Sequence, residues 1–236
     1  MINIIGNGMI ADAFRAVHVE NDCLLLAAGV SNSSEKALSE FQREKDVVVK
    51  AIVRHPESRV IYFSTCSVYG TARSPYVEHK LRMEQVVTAN AKSFLILRLP
   101  QVVGLTSNST LVSFFVEQIL KRNTLRIQAG ATRNLIDVCD VVRITSVLLD
   151  AVNCSRLTVN IAAKRAVSAR DIIQRISDIL EVRPHCVEVR GGEAYPISVE
   201  FIEGLLRPDD PIFGDKYWVD TLDKYVPLLA KRTPPR

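Results

Sequence analysis

The sequence lacks several features that would point to particular classes of protein. It has no run of about 18 apolar residues, so no segment is long enough to cross a bilayer as a helix. It begins Met-Ile-Asn-Ile-Ile, without the basic start and cleavage site of a signal peptide, and we interpret this segment as a first strand. The basic residues are scattered and the formal charge is only +4, so we expect neither membrane nor nucleic acid as a partner.

Metal-binding and disulfide patterns are absent as well. The 4 histidines are far apart and none has H-x-x-x-H spacing, so we predict no metal site. The 5 cysteines are odd in number and show no C-x-x-C pair, which is typical of reduced thiols in a cytosolic protein. They are Cys23, Cys66, Cys139, Cys154 and Cys186.

Apolar runs alternate with amphipathic segments in the first part of the chain. Residues 2–5, 23–28, 59–64 and 93–99 are predicted strands, and residues 9–17, 35–54 and 75–89 are predicted helices. Ser33 or Ser34 would cap the second helix, whose inner side would carry Leu38, Phe41, Val48 and Ile52. Continuous apolar strands indicate a parallel sheet covered on both faces, and right-handed crossovers would give a shortened, Rossmann-like, doubly wound α/β fold.

The pattern changes after about residue 105. Helices are predicted over residues 111–122 and 137–152, with a third running from a Ser168 cap to Leu180, and the C-terminal part is expected to be less regular. We therefore expect residues 1–105 to form a dinucleotide-binding core. Residues 106–236 would complete that core and add a small, mixed, substrate-binding C-terminal lobe in the same compact unit. In such a fold, ligands bind at the carboxyl ends of the strands, here residues 6–10, 27–32, 65–70 and 100–104.

A glycine pattern, G-x-G-x-x-A, follows the first strand at Gly6, Gly8 and Ala11. It allows a tight turn, close approach of a pyrophosphate and close packing of the next helix, although an ordinary strand-to-helix turn would give the same pattern. The acidic residue expected about 20 positions later to hold a ribose is not evident. Glu20 or Asp22 would act there, or Arg15 or His18 would contact a 2′-phosphate, so the choice between NAD and NADP stays open.

Tyr76 and Lys80 form a Y-x-x-x-K pattern, which places both on one face of a helix. The ammonium of Lys80 would favour the phenolate of Tyr76, which could then exchange a proton with a substrate oxygen. Thr65, just after the third strand, could donate a hydrogen bond to the same oxygen. For Tyr76 and Lys80 the alternative is a chance pair on the surface. For Thr65 it is a hydroxyl that caps backbone at the end of a strand.

Five segments together resemble the extended short-chain dehydrogenase/reductase family, which contains sugar-nucleotide epimerases, dehydratases and ketoreductases. Four of them are VIYFSTCSVYG at residues 60–70, PYVEHKLRME at 75–84, RLPQVVG at 98–104 and TRNLIDVCD at 132–140, and the fifth is marked by Asn160 and Ser168. The resemblance implies that Thr65, Tyr76 and Lys80 are catalytic, and that Ser67 and Arg133 bind a sugar nucleotide. For Arg133 a surface salt bridge is the alternative. The implied ligands of NAD or NADP are Gly6, Gly8, Met9, Ile10, Ala27, Ala28, Gly29, Ser64, Tyr76, Lys80, Pro100, Gln101 and Val102.

The differences from the family reduce the number of reactions that fit this sequence. The second and third strands of the usual fold have no counterpart in the pattern, and Cys66 and Ser67 stand where the 4,6-dehydratases have Asp and Glu. The leading hypothesis is therefore a 4-ketoreductase of a nucleotide sugar. An epimerase and a non-catalytic NAD(P)-binding or scaffold protein are the alternatives. The resemblance also implies a homodimer formed through the helices at about 35–54 and 76–90.

Overall fold

A computed structural model describes residues 2–17, 22–106, 108–151 and 155–233. The strands are β1 Ile2–Ile5, β2 Cys23–Leu26, β3 Arg59–Thr65, β4 Phe94–Leu99, β5 Gln101–Val103, β6 Thr124–Gln128, β7 Thr132–Arg133, β8 Leu135–Asp137, β9 Arg156–Asn160, β10 Val167–Ser168 and β11 His185–Val189. The helices are α1 Met9–Arg15, α2 Leu38–Arg54, α3 Pro75–Asn90, α4 Leu111–Leu120, α5 Val138–Ala151, α6 Ala169–Leu180, α7 Glu200–Glu203 and α8 Tyr217–Arg232. Short 3-10 turns cover Cys66–Tyr69 and Pro211–Phe213.

The central sheet has five parallel strands in the order β1-β2-β3-β4-β9. Every residue of β2 is buried, as are nearly all residues of β3 and β4, because helices cover both faces of the sheet. Cys23 and Leu25 face α1 and α5, whereas Leu24 and Leu26 face α2 and α3. The predicted α/β fold with a doubly wound parallel sheet is confirmed.

The crossovers do not all have the same hand. β1, β2 and β3 follow one another in one direction across the sheet, yet α1 packs on one face and α2 on the other. The connection through α1 therefore has the opposite hand to the connection through α2. The expectation of right-handed crossovers throughout is wrong here.

A second apolar cluster lies beyond the central sheet. It brings α4, α6 and α8 together around residues such as Val116, Ile176 and Val226. β6 pairs with β11 and β5 with β8 in parallel, and β7 pairs with β10 in antiparallel fashion. The C-terminal region is more regular than expected, because α8 runs through Pro227 and buries Leu222 and Leu229 against this cluster.

The start of α2 also differs from the prediction. Neither Ser33 nor Ser34 caps it, since α2 begins at Leu38 after Ala37. The carboxylate of Glu35 accepts hydrogen bonds from the backbone N–H groups of Lys36 and Ala37, directly before the helix. Leu38 is 79% exposed, so its predicted place on the inner side of the helix is wrong.

The described residues contain no group of three or more His, Cys, Asp or Glu side chains placed to hold a metal ion. Four cysteines in this part of the chain are free, and Cys154 lies outside it. No helix within the described ranges is long and apolar enough to span a membrane.

Candidate active site

The glycine turn lies at the carboxyl end of β1, at the start of α1. Gly6 has φ +135°, and a Cβ atom there would lie 2.5 Å from the carbonyl oxygen of Ala27, so only glycine fits at this position. A Cβ atom on Gly8 would meet nothing within 4 Å, and none of the described side chains caps α1. The backbone N–H groups at Met9 and Ile10 therefore begin a helix beside open space. This arrangement fits an anionic diphosphate.

The residues considered as contacts of the ribose or of a 2′-phosphate lie in different places. Arg15 donates a hydrogen bond to the carbonyl oxygen of Gly6 at 2.7 Å and forms an ion pair with Asp12, so its guanidinium lies at the glycine turn. Asp22 precedes β2, at the amino ends of the strands and thus away from the glycine turn. It accepts a hydrogen bond from Ser58. His18 and Glu20 lie outside the described residues.

The segment after β2 connects the glycine turn to α3. Ala27 is in contact range of Gly6, and the carbonyl of Ala28 accepts a hydrogen bond from Arg43. A Cβ atom on Gly29 would lie 2.9 Å from the Nζ atom of Lys80, so a side chain here would collide with that ammonium. The predicted cofactor residues 27–29 thus lie between the glycine turn and the predicted catalytic lysine.

Thr65, Tyr76 and Lys80 come together at the carboxyl end of β3. Ser74 caps α3 by accepting a hydrogen bond from the N–H of Val77, which places Tyr76 and Lys80 one turn apart at the start of this helix. All three predicted catalytic residues are buried. The hydroxyl of Thr65 accepts a hydrogen bond from the backbone N–H of Ser67 at 3.1 Å and lies close enough to the phenol of Tyr76 to lower its pKa, so the predicted donor and the predicted acid are neighbours.

Several groups act on the phenol of Tyr76. Burial raises its pKa above the ordinary tyrosine value. The charge of Lys80 and the hydroxyl of Thr65 lower the pKa, whereas Glu44 and Tyr195 raise it. With burial as the largest effect, the phenol is protonated at neutral pH, which is the form needed to donate a proton.

The ammonium of Lys80 donates to protein acceptors inside the cluster. It lies 3.0 Å from Oε1 of Glu44, 3.1 Å from the hydroxyl of Tyr62 and 3.2 Å from the carbonyl oxygen of Phe63. Its predicted contact with a ribose stays a prediction. Ser64, also predicted near the cofactor, is buried and donates its hydroxyl to Glu84.

A cleft of about 170 Å³ opens next to this group. Four residues predicted from the sequence line it, namely Ser67, Pro100, Gln101 and Arg133. Val102, which directly follows Gln101 in the chain, instead packs against the core. The hydroxyl of Tyr195 reaches Ser67 at 3.5 Å, and Tyr195 also influences the pKa of Tyr76, so the cleft adjoins the catalytic group.

Two functional candidates on the cleft wall, Lys164 and Tyr195, are not apparent in the sequence pattern. Lys164 follows β9 and pairs with Glu203 at 2.9 Å, while its side chain is 60% exposed. Together with Arg133 it gives the cleft two cationic side chains. Nothing in their local sequence indicates a ligand, because the fold alone brings residues 164 and 195 to the cleft that Ser67 also lines.

Glu44 was also not singled out from the sequence, although its position in α2 carries a signal. It falls on the same stripe of α2 as Phe41 and Val48, three and four residues away, and this spacing indicates an inward position. A charged residue on an inner stripe is itself a signal, because buried carboxylates are usually paired.

Comparisons with known proteins place this geometry in context. RMD from Pseudomonas aeruginosa complexed with NADPH superimposes with a TM-score of 0.76 at 16% identity, covering 98% of this chain and 99% of that one. UDP-glucose 4-epimerase from Thermus thermophilus in complex with NAD gives a TM-score of 0.68 at 16% identity, with 92% and 81% covered. dTDP-glucose 4,6-dehydratase from Bacillus anthracis str. Ames in complex with NAD gives 0.68 at 15% identity, with 89% and 73% covered. These likenesses show a shared fold.

At the level of sequence, a family model described as the NAD dependent epimerase/dehydratase family matches residues 12–162. No curated protein sequence matches the chain.

Proposed function

Because the chain belongs to the NAD dependent epimerase/dehydratase family, we propose that it is an NAD(P)-dependent reductase of a keto group on a nucleotide sugar, with the 4-keto position as the expected site. The observation that carries the proposal is the burial of Thr65, Tyr76 and Lys80 side by side, beside a cleft with two cationic side chains. The similarity in fold to RMD, which is complexed with NADPH, supports it.

The residues around the glycine turn fit a dinucleotide. Gly6, Gly8 and the first N–H groups of α1 would hold the diphosphate, and residues 27–29 would line the path toward Lys80. Arg15 is the candidate for contact with a 2′-phosphate, since its guanidinium lies at the glycine turn. When bound, the dinucleotide supplies the hydride.

The protein's own part in the reaction is proton transfer. Thr65 donates a hydrogen bond to the substrate carbonyl oxygen and orients it toward Tyr76. As the carbonyl carbon accepts the hydride, Tyr76 gives its proton to the carbonyl oxygen, and the product is the alcohol. The charge of Lys80 stabilises the phenolate that remains.

The residues after Thr65 do not favour dehydration. Burial raises the pKa of the Cys66 thiol to about 12, so this residue does not supply a base at the position where the 4,6-dehydratases carry a carboxylate. Ser67 lines the cleft as a neutral hydroxyl. Epimerisation is the second candidate, because it would use the same Thr65, Tyr76 and Lys80.

An assay of the purified protein separates these candidates. With NADPH or NADH and a 4-keto nucleotide sugar, we expect the absorbance of the reduced nicotinamide to fall with formation of a hydroxyl product. A protein that retains bound dinucleotide through purification and interconverts two nucleotide-sugar epimers without net consumption would be an epimerase. Absence of any dinucleotide binding in a titration would support a scaffold instead.

Arg133 is expected to bind the diphosphate of the substrate. A guanidinium that makes charge-assisted hydrogen bonds contributes about 1.5–3 kcal/mol, so Arg133→Gln should raise the Kd of a nucleoside diphosphate about tenfold to a hundredfold. Calorimetric titration with UDP and dTDP measures this. Arg126→Gln is the matched control, because Arg126 is an exposed arginine on β6 outside the cleft. Equal affinities for both variants would reduce Arg133 to a surface cation.

We also propose a homodimer formed through α2 and α3. Leu38 and Val53, near the two ends of α2, are 79% and 70% exposed, which supports an apolar contact at this helix.

A further inference from the structure

Glu44 is a buried carboxylate that groups from three other parts of the fold contact. Its side chain is 1% exposed, and its two oxygens accept hydrogen bonds from the loop after β2, from β3 and from α3. The donors are Val30 N at 2.7 Å, the Tyr62 hydroxyl at 2.7 Å, Nε2 of His79 at 2.9 Å and Nζ of Lys80 at 3.0 Å. Such a complete set of partners compensates the cost of removing the carboxylate from water.

The cluster leaves its members little freedom to move. The ring of His79 stacks on Phe41 with centroids 4.4 Å apart, and the ammonium of Lys80 lies 4.9 Å from the centroid of the Tyr62 ring. The backbone of Gly29 also lies against the carboxylate, because a Cβ atom there would be 2.7 Å from Oε1 of Glu44.

The charge state of Glu44 follows from these contacts. Burial raises the pKa of a carboxyl group, but Lys80 and the hydrogen bonds from His79, Tyr62 and Val30 together bring the pKa of Glu44 well below its ordinary value. Glu44 is therefore an anion at neutral pH. Of the acceptors around Nζ of Lys80, it is the one that carries a charge.

We propose that Glu44 is a positioning residue for the reaction, which pairs with the ammonium of Lys80 and fixes it one helical turn from Tyr76. Lys80 then acts on the phenol by its charge, from the place where its ion pair with Glu44 holds it. The proposal rests on the proposed role of Tyr76 as the proton donor.

The consequence of removing the carboxylate can be derived from the groups that face Tyr76. These are Thr65 from β3, Lys80 from α3, Glu44 from α2 and Tyr195 from the segment after β11. In Glu44→Gln, Lys80 becomes a buried cation without a counter-ion, which favours the neutral amine. Lys80 lowers the pKa of Tyr76 more than Glu44 raises it, so the loss of both charges should raise that pKa.

The test is a pH titration of Tyr76 that requires no substrate. Tyrosine labelled at the ring carbon that bears the hydroxyl is followed by NMR, and the Tyr76 signal is assigned with Tyr76→Phe. We expect the titration midpoint in Glu44→Gln to lie higher than in the parent protein by about one pH unit. Tyr62→Phe, which removes a partner of the same carboxylate without changing a charge, should leave the midpoint within a few tenths of a unit.

The double variant Glu44→Gln/Lys80→Met tests whether the effect passes through Lys80. If Lys80 is already neutral in Glu44→Gln, the double variant has the same midpoint as the single one. A folded Glu44→Gln protein whose midpoint is unchanged or lower would overturn the proposal. If this variant does not fold, Glu44→Asp decides, because its shorter carboxylate should hold Lys80 less well and give a smaller upward shift. An unshifted or lower midpoint there would overturn the proposal as well.

These outcomes are separate from those of the functional assay. A protein that turns over no nucleotide sugar but shows the upward shift keeps the role of Glu44 toward Lys80 and loses the proposed reaction. A protein that turns over substrate without the shift keeps the reaction and loses the role of Glu44.

Discussion

Tyr76→Phe is expected to lower kcat by about a hundredfold to ten-thousandfold, because general acid catalysis typically contributes that much. The variant keeps the buried ring and loses only the hydroxyl that neighbours Thr65, so its cost in stability should be about 1 kcal/mol. The measurement is the steady-state rate of NAD(P)H oxidation with a keto nucleotide sugar.

The pH dependence gives this prediction a second part. Because burial raises the pKa of Tyr76, the proton donor is present at neutral pH and reduction should proceed there. The reverse oxidation requires the phenolate, so its rate should rise toward alkaline pH. Tyr76→Phe should remove this dependence.

Tyr225→Phe serves as the control for the Tyr76 variant. It removes a phenol hydroxyl that bonds to Asp137, at a site in α8 away from the cleft. Full turnover by Tyr76→Phe, or an equal loss in both variants, would refute the assignment of Tyr76 as the acid.

Glu84→Ala is expected to lower the free energy of unfolding by about 3–5 kcal/mol, the usual cost of removing one partner of a buried ion pair. Glu84 is 8% exposed and accepts hydrogen bonds from Nε and a terminal nitrogen of Arg98 at 2.9 and 2.6 Å, and another from Ser64. Its loss would leave a partly buried guanidinium and a buried hydroxyl without this acceptor. Chemical denaturation measures the change.

The same network joins four parts of the fold. Arg98 on β4 donates to the hydroxyl of Tyr69, and Tyr69 donates to Asn160 at the end of β9. Glu84 therefore connects α3, through β4 and the turn at residues 66–69, to the last strand of the sheet.

A matched surface pair provides the control for Glu84→Ala. Glu57 forms an ion pair with Lys92, but their side chains are 73% and 68% exposed, so Glu57→Ala should change stability by about 0.5 kcal/mol or less. A change as small as this in Glu84→Ala would mean that solvent screens the Arg98 pair as well.

The sequence predicted those features that depend on local chemistry and periodicity. Continuous apolar runs indicated β2, β3 and β4, because residues buried on both sides of a sheet must be apolar. Pro75 indicated the start of α3, and the i, i+4 spacing of Tyr76 and Lys80 placed both on one face of it.

Other features could not be read from local patterns. The irregular stretch before α7 contains Tyr195, and only contacts across 128 positions of sequence bring it to Ser67. The C-terminal part was expected to be less regular, whereas α8 runs through Pro227. Burial of Leu222, Val226 and Leu229 against α4 and α6 more than offsets the hydrogen bond that the proline removes.

By itself, the sequence determined that this protein has a parallel sheet covered by helices, a glycine turn at its first strand, and a threonine, a tyrosine and a lysine at the end of the third strand. Only the tertiary structure decided which groups surround them. Packing of elements distant in the chain brings Glu44 beside Lys80, and it brings Lys164 and Tyr195 to the cleft that Ser67 lines. The physical reason is that periodicity and capping act within a few residues, whereas burial, charge pairing and the shape of a cleft depend on which elements the core brings together.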